Sequence, residues 1–125
     1  MANPSKQRGT RWETAVTDYL RANGFPHAER RTLSGAADRG DINAGPGLVI
    51  ECKSQARHSL AEWVDETELE KRNAGADVGF AWIHRRGFAS PAKGYVVMTG
   101  EQAVQLLRAA GYGDPMDPTT QGATR

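Results

Sequence analysis

Apolar residues first recur at helical spacing over residues 10–24. Trp12, Ala15, Val16, Tyr19 and Leu20 fall at i, i+3, i+4, i+7 and i+8, one face of a helix that Thr10 would cap and Gly24 would end. The period then changes. Residues 27–33 read as a strand and SGAADRG as a loop; DINA and LVIECKS read as two strands joined by Gly45, Pro46 and Gly47. A second helix runs from a Ser59 cap to about Asn73 and stops at Gly75. VGFAWIHR is a short buried strand, RRGFASPAKG a loop and YVVMT another strand. EQAVQLLRAAG makes a third helix with Ala103, Val104, Leu106 and Leu107 toward the core. Strands alternating with helices predict an α/β fold, a central mixed sheet of about five strands flanked by helices.

Composition narrows this picture. A chain of 125 residues with 38% hydrophobic and 25% charged residues suits one globular domain. No apolar run approaches the roughly 18 residues of a membrane span. MANPSKQRGTRW carries basic residues with no apolar segment after them, so no secretory signal is expected there. A single cysteine, Cys52, permits no internal disulfide and fits a reducing, cytoplasmic setting. Residues 1–9 read as a flexible basic arm, 10–110 as the one domain, and 111–125, rich in Gly, Pro and Thr, as a disordered tail. There is no internal repeat.

Net charge is only +1, yet nine Lys/Arg stand against six acids over residues 1–57 and five acids against two bases over 58–75. Solvated faces and a phosphate-facing surface account for that unevenness equally well.

The candidate chemistry lies in RGDINAGPGLVIECKS, residues 39–54. Residues two apart on a strand share a face, so Glu51 and Lys53 point one way and Ile50 and Cys52 the other. A three-residue loop at Gly45–Gly47 would pair Ala44 with Leu48 and set Asp41 opposite Glu51. Two facing carboxylates repel unless a cation sits between them, and Mg²⁺ takes one or two carboxylates with waters and substrate phosphate. A neighbouring lysine would orient or deprotonate the attacking water, or offset charge developing on phosphorus. A plain cross-strand ion pair of Lys53 with Asp41 or Glu51 accounts for the same residues. Glu13, at the border of the first helix's apolar face, is either an acid that reaches this patch or a first-turn carboxylate favoured by the helix dipole. His27, His58 and His84 have no ligand spacing for zinc. Cys52 reads as a small core residue and Asp38 as a loop residue. Trp63 and Trp82 read as core rather than as stacking platforms.

Taken together, the helix acid, GDI, the Gly-rich turn and VIECK resemble the PD-(D/E)XK nuclease superfamily, and within it the archaeal-type Holliday-junction resolvases. The likeness covers roughly residues 6–98. It includes NGF at the helix exit, RRTLSG, and NAGADVGFAWIHRRG after the second helix. It implies a restriction-endonuclease-like fold and a Mg²⁺-dependent (or Mn²⁺-dependent) endonuclease acting on branched DNA as a homodimer. Asp41, Glu51 and the Cys52 backbone carbonyl would hold the metal, with Glu13 completing the site directly or through water. Lys53 would position water or stabilise the transition state, with Ser34 and Gln55 as auxiliaries. Lys6, Arg8, Arg11, Arg30, Arg31, Arg39, Arg57, Arg85 and Arg86 would face DNA. Restriction- or repair-type cutting of linear or damaged duplex, and a non-catalytic DNA-binding module of the same fold, are the alternatives. Two positions depart from the pattern: Gly40 stands where the superfamily has proline, and Thr14 follows the helix acid where these resolvases usually have arginine.

Overall fold

The computed structural model of the chain describes residues 3–31 and 40–116. Ser34, Asp38 and Arg39 lie outside the described residues. The first helix, α1, spans Pro4–Ala22 and so begins well before Thr10. Asn3 is its cap: the main-chain carbonyl accepts the Gln7 N–H at 3.0 Å and the side-chain Oδ1 accepts the Lys6 N–H at 3.5 Å. Pro4 follows at the first helical position, where its fixed φ suits the helix and its missing N–H is not needed. Residues 4–9 are therefore helix rather than the expected flexible arm, and Lys6, Arg8 and Arg11 ride on its first turns.

Five strands form one mixed sheet in the order β1 (Glu29–Arg30), β2 (Ile42–Asn43), β3 (Leu48–Lys53), β4 (Val78–Ile83), β5 (Tyr95–Val97). All neighbours are antiparallel except β3 and β4, which run parallel because α2 (Leu60–Ala74) carries the chain across between them. Gly75 ends α2 in the left-handed conformation, φ 62°, as its position in the sequence predicted.

The two sides of β3 and β4 meet different helices. Ile50 and Trp82 pack under Trp12, Val16 and Leu20 of α1, with Leu48, Cys52 and Phe80 alongside. Ala81 and Ile83, on the other face, pack under Trp63 of α2. Trp63 is 3% exposed and Trp82 8%, so both belong to the core. The Trp12 indole N–H donates to the Trp82 carbonyl at 3.0 Å, which ties α1 to the sheet at the level of the candidate residues.

The third helix, α3 (Gly100–Ala109), corrects an expectation. Val104 and Leu107 are 55% and 51% exposed, whereas Gln102 is buried. The cause is a main-chain donor. β5 pairs with β4 only from Ala81 to Ile83, which leaves the Gly79 N–H without a strand partner; the Gln102 Oε1 accepts it at 3.0 Å. An orphaned buried N–H is more costly than two exposed aliphatic side chains, so the polar requirement sets the roll of the helix. Part of the expected tail is likewise ordered: the Tyr112 N–H bonds the Leu107 carbonyl, and Arg108 Nη1 bonds the Asp114 carbonyl, both at 3.0 Å.

Candidate active site

The expected hairpin register holds, with Ile42 opposite Ile50. β2 ends there, however, and the last two residues of the LVIEC run have no β2 neighbour. Asp41 is drawn in: its N–H donates to the Ile50 carbonyl at 2.9 Å, while its carboxylate Oδ2 accepts the Cys52 N–H at 2.7 Å. The side chain thus occupies the ladder position that another strand residue would have filled. Gly40 makes the bend possible. Its φ is 94°, and a Cβ there would lie 3.0 Å from the Ile50 carbonyl oxygen. Proline, held near φ −65°, cannot adopt that conformation.

Because β2 stops short, the C-terminal half of β3 is open at its edge, and groups from both faces of the sheet reach one cavity of about 530 Å³. Glu13, Asp41, Glu51, Lys53, Gln55 and Glu66 are among its walls. Glu51 is 4% exposed and lies under α2. The Asp41 and Glu51 carboxyls lie against each other. Burial, and then each carboxyl's acidic neighbour, push both groups up to about 8: Glu51 acts on Asp41, and Glu70 of α2 acts on Glu51. Burial also raises Glu13, with Asp41 adding to it.

Cations are fixed around these acids. Lys53 Nζ lies 2.9 Å from Glu66 Oε2 and 5.8 Å from the Trp63 ring centroid. Burial acts to lower the Lys53 pKa. The Glu66 hydrogen bond and the charges of Glu51, Glu66 and Asp41 outweigh it and hold the ammonium above its usual value. Lys53 is therefore held as a charged donor at neutral pH. Arg30 grips Glu13, with both Nε and Nη2 3.0 Å from Oε1. Cys52 points away from the acids into the α1 core, and burial raises its thiol pKa.

Two acids of this cluster escape a reading by residue type. Glu66 and Glu70 fall in a segment whose charges suggest a solvated face, yet Glu70 is 2% exposed. The missed signal was Trp63: once it is taken as the buried anchor of α2, positions i+3, i+4 and i+7 (Glu66, Thr67 and Glu70) must share its face. Among the described residues, no three His, Cys, Asp or Glu side chains converge as a ready metal-holding group.

The basic residues divide. Arg8 lines the acidic cavity, and Arg8 and Arg11 line a neighbouring one. Arg86 borders a third. Arg30 is engaged with Glu13. Arg85 stacks over Phe88 and Tyr95, at 4.2 and 5.4 Å, and is turned toward β5. Lys6 and Arg57 are exposed and Arg31 is half-buried. No helix among the described residues is long and apolar enough to cross a membrane. No protein-family model, curated protein or solved structure matches this chain.

Proposed function

We propose that this chain is a cytoplasmic, divalent-metal-dependent DNA endonuclease of the PD-(D/E)XK kind, with a restriction-endonuclease-like fold. On this reading it resolves four-way (Holliday) junctions by paired nicks as a homodimer. The observation that carries the reading is the pair of half-buried Asp41 and buried Glu51 at the open edge of β3, with the Lys53 ammonium on the same face.

The donor chemistry fits Mg²⁺, and Mn²⁺ equally. Two carboxylates pressed together out of water favour a hard cation between them. The Cys52 N–H faces Asp41, and a strand residue's N–H and C=O share one edge, so the Cys52 carbonyl opens on the same side. Asp41, Glu51 and that carbonyl make three oxygen donors, which suits an ion that keeps waters and substrate phosphate as its other ligands. When bound, the ion supplies Lewis-acid polarisation of a phosphoryl oxygen. The chain's own residues do the rest. Lys53 donates hydrogen bonds to the phosphate and offsets the charge that develops on it. Glu66 and Trp63 hold Lys53 in place, while Glu13, tied to Arg30, would complete the site directly or through water. In the hydrolysis a water oxygen bonds to phosphorus as one P–O ester bond breaks, and the proton the water gives up ends on the departing sugar oxygen. Cutting two strands of a junction symmetrically requires two such sites related by a twofold axis.

One observation favours a non-catalytic DNA-binding module. Lys53 with Glu66, and Glu13 with Arg30, already form closed ion pairs. The deciding experiment incubates the protein with a labelled four-way junction and with a linear duplex of the same arm sequences, in Mg²⁺ and in EDTA. Symmetric nicks in the junction alone, abolished by EDTA and by Glu51→Ala, are the expected result. Cutting of both substrates would replace the junction reading with a restriction- or repair-type nuclease. Binding without cutting would leave the module.

A further inference from the structure

Beside the acidic cavity is a second one of about 410 Å³, and the two share Arg8, Ser54 and Gln55 as a common wall. Their linings differ in sign. The first holds the carboxylates of Glu13, Asp41, Glu51 and Glu66; the second has none, and instead carries Arg8, His58, His84 and Arg86. It opens at the carboxyl ends of the parallel pair β3 and β4, between the loop that leaves Lys53 and the loop that leaves Ile83, the position where open α/β sheets bind ligands.

His84, in the lining of this cavity, is held by several contacts. The His84 ring stacks on Trp12, with centroids 4.7 Å apart and planes 24° apart. His84 Nε2 donates to the Phe88 carbonyl at 2.9 Å, and Nδ1 lies 3.3 Å from the Ser54 hydroxyl. The His84 N–H donates to the Lys53 carbonyl at 2.8 Å, so the wall is joined by main chain to the candidate lysine. The two arginines of the Arg85–Arg86 turn separate: Arg85 lies over Phe88 and Tyr95, and Arg86 borders the cavity.

We propose that this cavity is a phosphodiester-binding subsite, which takes the DNA phosphate adjacent to the one over Glu51 and Lys53 and so sets which bond is cut. The inference rests on the nuclease reading above and deepens it. Successive phosphates of one strand are about 3.4 Å apart along the duplex axis, so contiguous cavities that share a wall suit neighbouring phosphates. The acidic cavity accepts its phosphate through a cation and the basic one accepts its phosphate directly. Arg8 in the shared wall faces both.

The test measures anisotropy of a fluorescein-labelled duplex in EDTA, where nothing can be cut, across a range of salt concentrations. Arg86→Ala and the double variant with His58→Ala are compared with Arg72→Ala, an exposed control at the far end of α2. Each exposed site is checked for an unchanged melting temperature. The expected result for Arg86→Ala is about tenfold weaker binding, with the slope of log K against log salt reduced by about 0.9. Arg72→Ala should bind as wild type does. Wild-type affinity and slope in the double variant would overturn the subsite, whether or not the protein cuts DNA in Mg²⁺. A subsite-dependent slope with no cutting in Mg²⁺ would keep the subsite and remove the nuclease. Shifts of the His58 and His84 imidazole resonances on adding inorganic phosphate, with no duplex binding, would overturn both in favour of a small-anion site.

Discussion

Asp41 reaches Glu51 by replacing a strand, because its carboxylate takes the Cys52 N–H that a longer β2 would have taken. The two acids are therefore held together by main-chain hydrogen bonds and by burial, and the folded chain favours their protonated forms. Groups raised in the folded state contribute stability that is fully present below the ordinary carboxylate range and is lost as pH rises through about 8. The metal-free protein should melt highest in mild acid and progressively lower toward pH 8. Asp41→Asn keeps the Cys52 hydrogen bond and removes the charge, so it should flatten that slope and raise metal-free stability near pH 8 by at least about 1 kcal/mol. Mg²⁺ at a hundredfold excess over its dissociation constant should stabilise wild type by about 2.7 kcal/mol and leave Asp41→Asn nearly unmoved. Calorimetry over that pH range, with and without Mg²⁺, checks all three. A flat wild-type profile would mean the acids are hydrated rather than buried together. Position, sign and register of Asp41, Glu51 and Lys53 were legible in GDI and VIECK. The contacts of Glu70 and Glu66 were not, because they depend on which way α2 is rolled.

At the scale of elements, two glycines separate local propensity from packing. Gly9 lies inside α1, where an added methyl group would meet nothing within 4 Å, and glycine is a poor helix residue there. Gly9→Ala should stabilise the protein by roughly 0.5–1 kcal/mol, read by thermal melting; no change would indicate that residues 4–9 are not helical. Gly94 has an ordinary extended backbone, φ −71°, but a Cβ would lie 2.8 Å from the Ile83 carbonyl oxygen and 3.2 Å from the Trp12 and Trp82 rings. Gly94→Ala should destabilise by about 1–3 kcal/mol, read by urea denaturation. The Asn3–Pro4 start of α1 was present in the sequence as a cap followed by a first-position proline; the stronger apolar period that begins at Trp12 drew the boundary inward. The roll of α3 was not readable locally. Its apolar period is genuine, and only the unpaired Gly79 N–H on another element explains why Gln102 faces in.

For the whole molecule, exposed Val104 and Leu107 leave an aliphatic stripe on the outside of α3. Val104→Ser with Leu107→Ser should change stability by no more than about 0.5 kcal/mol, since both side chains are already largely in water. A loss several times larger, by chemical denaturation, would mean that they are buried after all. Sedimentation of the same variant tests whether that stripe contributes to the proposed homodimer. By itself the sequence determined what depends on neighbours along the chain: the helices and strands, the alternation that puts Glu51 and Lys53 on one face, the hairpin register through its three-residue loop, and Gly75 as a helix stop. Tertiary structure alone decided what depends on the end of a partner element. The short β2 opened the edge of β3, and α2 brought Glu66 and Glu70 against the candidate residues. The parallel pairing of β3 with β4 set a basic cavity beside an acidic one. The physical reason is range. Backbone sterics and side-chain period act over a few residues, whereas desolvation, ion pairing and the satisfaction of buried N–H groups act between segments far apart in sequence.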